Sequence, residues 1–209
     1  MTFGKWASYS NSRMKLLEAA VTEFSKRGLD GARVDVIAAR AGVNKAMLYH
    51  YFKSKQNLYV AVLERTYEAM RAQEQELDLT HLDPEQGIER LVTFTFSYLL
   101  ENPSFIALLN DENLHRGGNL RRSRNARSIS ASVTEVLADL LARGQAQGAF
   151  RKGIDPVEAY LLLAGMCYFY VSNAYTLSLV FERDLLSKHS RSAFLATVKE
   201  AMLRYLRRP

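Results

Sequence analysis

Apolar residues recur along most of the chain at the three- and four-residue spacing of helix faces. Met14, Leu17, Val21 and Phe24 form one stripe over about 12–27, and Gly28 follows as a C-terminal stop. Two short helices are predicted over 34–41 and 45–52, divided by Gly42. A longer helix begins near Ser54, carries Leu58, Val62, Thr66 and Met70, and runs to about Leu79. Asp83-Pro84-Glu85-Gln86 reads as a helix start, with Asp as cap, Pro in the first turn and Gln three residues after the cap. Asn102-Pro103 ends that helix and opens another to about His115, after which Gly117-Gly118 break the chain. A long helix is expected over roughly 120–147, stopping at Gly148. Asp155-Pro156-Val157-Glu158 repeats the start signature, and the last helix covers about 191–207. No segment reads as a strand, so the fold is predicted to be all-α.

The segment Ala159–Phe181 carries no formal charge. Its unbroken apolar run ends at Val171, short of the roughly 20 residues a membrane span needs. It reads instead as a helix with two apolar faces and hence two different partners. One face is expected to hold Tyr160, Cys167, Tyr168, Val171 and Tyr175. The other is expected to hold Leu163, Met166, Tyr170, Asn173 and Leu177. Core on one side and a dimer partner on the other would satisfy both.

Composition narrows the function classes. The 209 residues suit one mid-sized domain or a small domain joined to a larger one, and apolar and charged usage is ordinary for a globular chain. The single cysteine, Cys167, excludes an internal disulfide and a cysteine zinc finger, and reads as a buried small hydrophobe. The net charge of +6 is not spread evenly. Residues 1–55 hold ten Lys and Arg against four acidic residues, and the rest of the chain balances. A localised basic region suggests a polyanion, either nucleic acid or an anionic membrane surface. The start, MTFGKWASYSNS, lacks the apolar core of a signal peptide, so a cytoplasmic protein is expected.

Residues 34–53, VDVIAARAGVNKAMLYHYFK, separate those two partners. A helix-turn-helix needs a small residue where its helices approach, which Ala38 supplies, and a chain reversal, which Gly42 permits. Ile37, Ala41, Val43, Leu48 and Tyr51 or Phe52 fall on the inward faces. Asn44 is a suitable cap for the second helix. Lys45, Ala46, Met47, Tyr49 and His50 are left facing outward, a surface suited to DNA. A membrane-surface protein would use Phe3 and Trp6 as anchors, but the basic residues beyond them fall on helix-turn-helix positions.

From Leu16 to Leu63 the chain resembles the DNA-binding domain of the TetR family of bacterial repressors. The matching residues are Ala19-Ala20, Phe24, Gly28, Ile37-Ala38, Ala41-Gly42-Val43, Leu48-Tyr49, Tyr51-Phe52, Lys55 and Leu58. The resemblance implies an N-terminal three-helix reader, residues 10–56, and a larger helical effector-binding and dimerisation domain, 57–209. It implies phosphate contacts from Tyr49 and Lys55, base-edge contacts from Lys45, Ala46 and Met47, and a phosphate or sugar contact from His50. Asn44 would cap the reading helix and reach the DNA backbone. Arg33 stands where the family often has a Ser or Thr cap; it gives up the cap but can pair with a phosphate. Met47 stands where a small residue or Thr is common, and a thymine methyl is its natural target.

The implied partners are double-stranded, pseudo-palindromic operator DNA, a second copy of the chain, and an apolar or aromatic small-molecule effector. Tyr98, Phe105, Leu109, His115, Met166, Tyr170 and Asn173 are the residues expected to line the effector pocket. Glu112-x-x-His115 is half of a di-iron motif, but no second half exists, so a structural histidine or a pocket contact is the expectation and no metal or cofactor is assigned. Arg121, Arg122, Arg124 and Arg127 crowd an expected helix start, where positive charge opposes the dipole; Asp111 and Glu112 are candidates to compensate it. No nucleophile elbow, phosphate loop or dinucleotide turn is present. The expected function is a ligand-responsive repressor, and the alternative is a DNA-binding regulator or architectural protein without an effector.

Overall fold

The computed structural model describes residues 3–123 and 125–207, with side chains described for 11–123, 125 and 134–207. The helices are α1 (Phe3–Gly31), α2 (Val34–Ala41), α3 (Lys45–Phe52), α4 (Lys55–Gln75), α5 (Pro84–Glu101), α6 (Pro103–Leu114), α7 (Ala126–Ala146), α8 (Pro156–Val180) and α9 (Lys188–Leu206). Among the described residues there is no strand, only an isolated antiparallel bridge between Phe150 and Arg207.

Most starts and stops follow the local chemistry of the sequence. Asp83 accepts the Glu85 N–H at 3.0 Å, and Asp155 accepts those of Val157 and Glu158 at 2.7 and 3.0 Å, with a proline at the first turn of each helix. Several boundaries differ from expectation, among them the end of α4, which stops at Gln75 rather than running to Leu79, where a separate 3-10 turn, Leu79–His81, begins. α1 begins well before residue 12, and at Gly28 it kinks rather than stops, with φ 65° and ψ 179°. The helix expected over 120–147 is divided into a 3-10 turn, Leu120–Arg122, and α7. α9 starts earlier because Ser187 caps it, its hydroxyl accepting the Ser190 N–H at 3.2 Å.

The helices form two compact units. The first comprises the described residues through Ala69 together with Pro103–Arg127. Here α1 packs against α2, α3 and α6. Leu16, Ala20, Phe24, Ile37, Leu48 and Leu58 are buried in one core, each large apolar side chain contributing about 1.5–3 kcal/mol. Phe24 meets Tyr59 edge-on, with ring centroids 5.0 Å apart.

The second unit comprises Met70–Asn102 and the described residues from Ser128 onward, so α4 and α7 each contribute residues to both. α5 packs against α8 and α9, with Ile88, Leu91, Val92 and Phe96 buried and the Phe96 ring meeting those of Tyr170 and Phe194. Tyr170 of α8 stacks on Phe194 of α9 at 4.1 Å and lies 5.6 Å from Phe96. Arg143 donates to the carbonyls of Leu82 and Leu79 at 2.7 and 2.9 Å and closes the turn before α5. No described helix is long and apolar enough to cross a membrane.

α8 does have two apolar sides, but the division expected along it is wrong. Its buried stripe is Ala159, Leu163, Cys167, Tyr170 and Ala174, which mixes the two predicted sets. At 100° per residue these positions share one side of the helix, whereas Tyr160 and Val171 drift off it. Leu161, Phe169, Tyr175 and Leu179 project from the opposite side and are exposed in the single chain. Cys167 is buried as expected, and burial pushes its thiol up to about 12, so it stays protonated.

Candidate nucleic-acid interface

The reader is built from α2, α3 and the turn between them. Gly42 sits in the left-handed region at φ 66°, and its N–H reaches the carbonyls that end α2. Asn44 then caps α3, its Oδ1 accepting the Ala46 N–H at 2.9 Å. Ile37, Ala38, Ala41, Leu48 and Phe52 are buried, so Phe52 rather than Tyr51 fills the inward position. The remaining face of α3 points away from the core. Lys45, Ala46, Tyr49 and His50 are exposed, Tyr49 at 42%, while Met47 is half-buried. His50 leans edge-on against the Tyr51 ring at 5.5 Å. Lys53 adds a further exposed cation at the end of α3, in the left-handed region at φ 67°. Its side-chain type was visible in the sequence, but its place beside the reading face depends on that turn.

Two of the expected DNA contacts are engaged within the protein. Lys45 Nζ lies 2.7 Å from Asp35 Oδ1, and each group favours the charged form of the other: the lysine is raised and the aspartate lowered. Both side chains are at least half exposed, so the pair is cheap to break. Lys55 Nζ donates to the carbonyls of Asp30 and Ala32, each at 3.2 Å, and so closes the end of α1. Arg33 is exposed and makes no side-chain cap; its backbone N–H is taken by the buried carboxylate of Glu23 at 3.3 Å.

A polar junction missed in the sequence fixes α6 to α1 and α4. Asp111 of α6 accepts the Leu29 N–H at 2.9 Å and the Tyr59 hydroxyl at 2.7 Å. Leu29 directly follows the Gly28 kink, and a Cβ at residue 28 would collide with the Asp111 carboxylate. Burial and this carboxylate together hold the Tyr59 phenol far above its usual range. His115 completes the junction: Nδ1 lies 2.8 Å from the Asp111 carbonyl and Nε2 lies 3.4 Å from Asp30 Oδ2. The only sequence signal was a charged pair on a helix, which does not reveal a partner more than eighty residues away.

Among the described residues, Asp111 and Glu112 are engaged away from Arg121 and Arg122. Asp111 is committed to the kink, and Glu112 is buried and accepts from Asn119 N, Asn119 Nδ2 and Leu120 N, each at 2.9 Å. Arg121 and Arg122 are exposed on the 3-10 turn; Arg124 and the side chain of Arg127 lie outside the described residues, as do those of Phe3 and Trp6. Among the described residues no cluster of three or more potential metal ligands is present.

The residues expected to line a pocket fall in both units. Phe105, Leu109 and His115 belong to the first, where Phe105 is buried 5.4 Å from the Tyr67 ring. Tyr98, Met166, Tyr170 and Asn173 belong to the second. Tyr98 and Tyr170 are buried, and the Tyr170 hydroxyl donates to the Leu185 carbonyl at 2.6 Å. Met166 and Asn173 are half-buried, and Asn173 donates to the Phe169 carbonyl at 2.9 Å.

Comparison with known proteins agrees with this architecture. Residues 16–62 match the model for bacterial regulatory proteins of the tetR family, and residues 84–202 match the Tetracyclin repressor-like C-terminal domain. The HTH-type transcriptional repressor NicS of Pseudomonas putida is 41% identical over 197 residues, covering 94% of this chain and 93% of that protein. The crystal structure of the transcriptional regulator SCO4942 from Streptomyces coelicolor superimposes with a TM-score of 0.70 at 25% identity, over 95% of this chain and 99% of that one. FadR of Bacillus subtilis, solved in complex with stearoyl-CoA, shares the fold with a TM-score of 0.69 at 19% identity, over 92% and 98% of the two chains. With both domain models matched in order and a relative of this identity along nearly the whole chain, the protein belongs to the TetR family of bacterial DNA-binding transcriptional regulators.

Proposed function

We propose that the protein is a homodimeric repressor that binds a pseudo-palindromic operator through α3 and is released by a small-molecule effector. The observation that carries this reading is the exposed face of α3. Lys45, Ala46, Tyr49 and His50 are presented on a helix fixed at its start by Asn44, in the part of the chain that holds the whole excess of positive charge. Within this reading residues 10–56 read the DNA and 57–209 take the effector and the second copy, with α6 packed on α1. The exposed apolar side of α8 supports a twofold contact through α8 and α9, because a symmetric four-helix interface covers it with its own equivalent. A ligand-bound relative of the same fold supports the effector.

The test is binding to double-stranded DNA recovered by in vitro selection, measured over a range of salt. Tyr49→Phe removes a phosphate donor and should weaken specific and random DNA by the same factor. Lys45→Ala removes a base-edge contact and should alter preference among sequences, by roughly 1–3 kcal/mol at the affected base pair. Lys55→Ala should weaken all sequences and flatten the salt slope by roughly one unit if its third donor reaches a phosphate. Identical behaviour of Tyr49→Phe and Lys45→Ala on specific and random DNA would overturn this division of roles.

A further inference from the structure

The second unit buries a cation whose hydrogen bonding is incomplete. Arg71, near the end of α4, is 7% exposed. Its Nη1 pairs with the carboxylate of Glu74, one turn further on. Its Nη2 donates to the Tyr160 hydroxyl of α8 at 3.2 Å and lies 3.9 Å from Met70 Sδ. The guanidinium carbon is 5.8 Å from the centroid of the Tyr160 ring. The buried Nε has no acceptor among the described residues.

This arrangement is a poor device for stability. A buried ion pair recovers little of its desolvation cost, and an apolar pair of similar volume commonly does as well or better. A buried N–H without an acceptor adds a further cost, and such groups are rare. The open position also has a particular shape. Nε–H shares one edge of the planar guanidinium with an Nη2–H, the edge that receives the two oxygens of a carboxylate side by side, and Nη2 is held there only by the Tyr160 hydroxyl and by the weak acceptor Met70 Sδ, which a carboxylate oxygen can displace. The Tyr160 hydroxyl accepts from Nη2 and keeps its own proton to donate to a ligand oxygen. The buried ring of Tyr98 on α5 lies in the same electrostatic neighbourhood: burial raises its phenol and the Arg71 charge opposes that rise.

We propose that Arg71 is the anion-binding residue of the effector site and that the effector is a small carboxylic acid with a flat body. Its carboxylate takes the Nε–H and Nη2–H edge of Arg71 and its body lies against the tyrosine rings. The proposal rests on the reading that an effector binds this protein and names its chemical class. Glu74 is the internal competitor, a second carboxylate on the same guanidinium, and burial disfavours its charged form.

The test uses the full chain, with binding read by calorimetry and by the shift in melting temperature. The probes are benzoate, phenylacetate, cinnamate and hexanoate, each beside its uncharged carboxamide. At least one acid should bind, at least about tenfold more tightly than its amide, because a charge-assisted pair to a buried group is lost. Arg71→Lys keeps the charge but removes the forked edge, and should weaken that acid by about tenfold or more. Glu74→Gln should tighten it several-fold and leave the amides unchanged, an effect that a purely structural ion pair does not produce. Should Arg71→Lys fail to fold by circular dichroism, Glu74→Gln alone decides. Amides binding as well as acids, acids binding Arg71→Lys like the unaltered protein, or no acid binding at all would each overturn the proposal. A mobility-shift assay on selected DNA separates it from the repressor reading. Amides that release DNA equally from the unaltered protein and Arg71→Lys would overturn the role of Arg71 while supporting an effector. Acid that binds through Arg71 without releasing DNA would support the site and overturn its role in repression.

Discussion

Glu112 in the first unit and Arg71 in the second are both buried charges, at 2% and 7% exposure, and they are treated in opposite ways. Glu112 receives three N–H donors from Asn119 and Leu120 and fixes the turn after α6. Arg71 is left with a buried N–H that no described residue accepts. The apolar surfaces differ in the same sense. The core of the first unit closes inward around Phe24, Ile37 and Leu48, whereas α8 buries one side and exposes Leu161, Phe169 and Leu179 on the other. Among its described residues the first unit leaves no buried side-chain nitrogen or oxygen without a partner and exposes only Tyr49 and Leu114 of its large apolar side chains, so it is the more nearly complete of the two as a single chain. The second leaves an apolar face exposed and one N–H of a buried cation without an acceptor, which is the condition of a part that waits for partners.

The sharpest way to break this contrast is to charge the open face of α8. Phe169 is 61% exposed in the single chain. If it lies in a twofold interface, Phe169→Asp places two unpaired carboxylates in that interface at once. The expected cost is about 4 kcal/mol or more, roughly a thousandfold in the dissociation constant and enough to convert a micromolar dimer to monomer in sedimentation. The monomer should keep its helical content, because Phe169 lies on the side of α8 away from the core. An unchanged dimer would place the interface elsewhere.

A smaller effect is expected from the completed charge. Glu112→Ala strips the acceptor from the backbone N–H groups of Asn119 and Leu120 together. The expected loss is about 3 kcal/mol of unfolding free energy, since each orphaned N–H costs roughly 1–3 kcal/mol and water recovers part of it. Urea denaturation measures this directly. A loss below about 1 kcal/mol would mean that Glu112 is no more structural than Arg71, and the contrast between the two units would fail.

The parts of this molecule legible in the sequence are those set by residues close together in the chain. Gly42, Asn44, Asp83-Pro84 and Asp155-Pro156 fix α2, α3, α5 and α8 because a cap or turn acts within four residues. The reading face of α3 follows from the same local information, since apolar positions inside a short helix leave only one side outward. The faces of α8 were misassigned because nearly every position is apolar, so periodicity carries no signal there. Asp111 reads in the sequence only as a candidate to compensate nearby arginines, because its partners Leu29 and Tyr59 come from α1 and α4. Arg71 was not singled out at all, for on a mostly polar helix an arginine reads as surface until Tyr160 is brought beside it.

The smallest expected effect tests whether the completeness of the first unit includes its histidine. The His115 ring is raised above its ordinary value of 6.5, first by the backbone carbonyl of Asp111 and then by the Asp30 carboxylate and the nearby aspartate charges, with burial opposing them. A group raised in the folded state binds its proton more tightly there than in the unfolded chain. Its contribution to stability is therefore fully present below about pH 6.5 and is lost as pH rises through the elevated folded value. His115→Gln removes that contribution. The difference in unfolding free energy between the two proteins should be largest near pH 5.5 and should shrink steadily toward pH 8. Comparing the two proteins at each pH cancels the other titrating groups. The size should be about half a kcal/mol, because the His115 side chain is 30% exposed, Asp30 is 92% exposed, and solvent screens their attraction. A difference that grows with pH would reverse the sign of the linkage and show that the neutral ring is the form this junction holds.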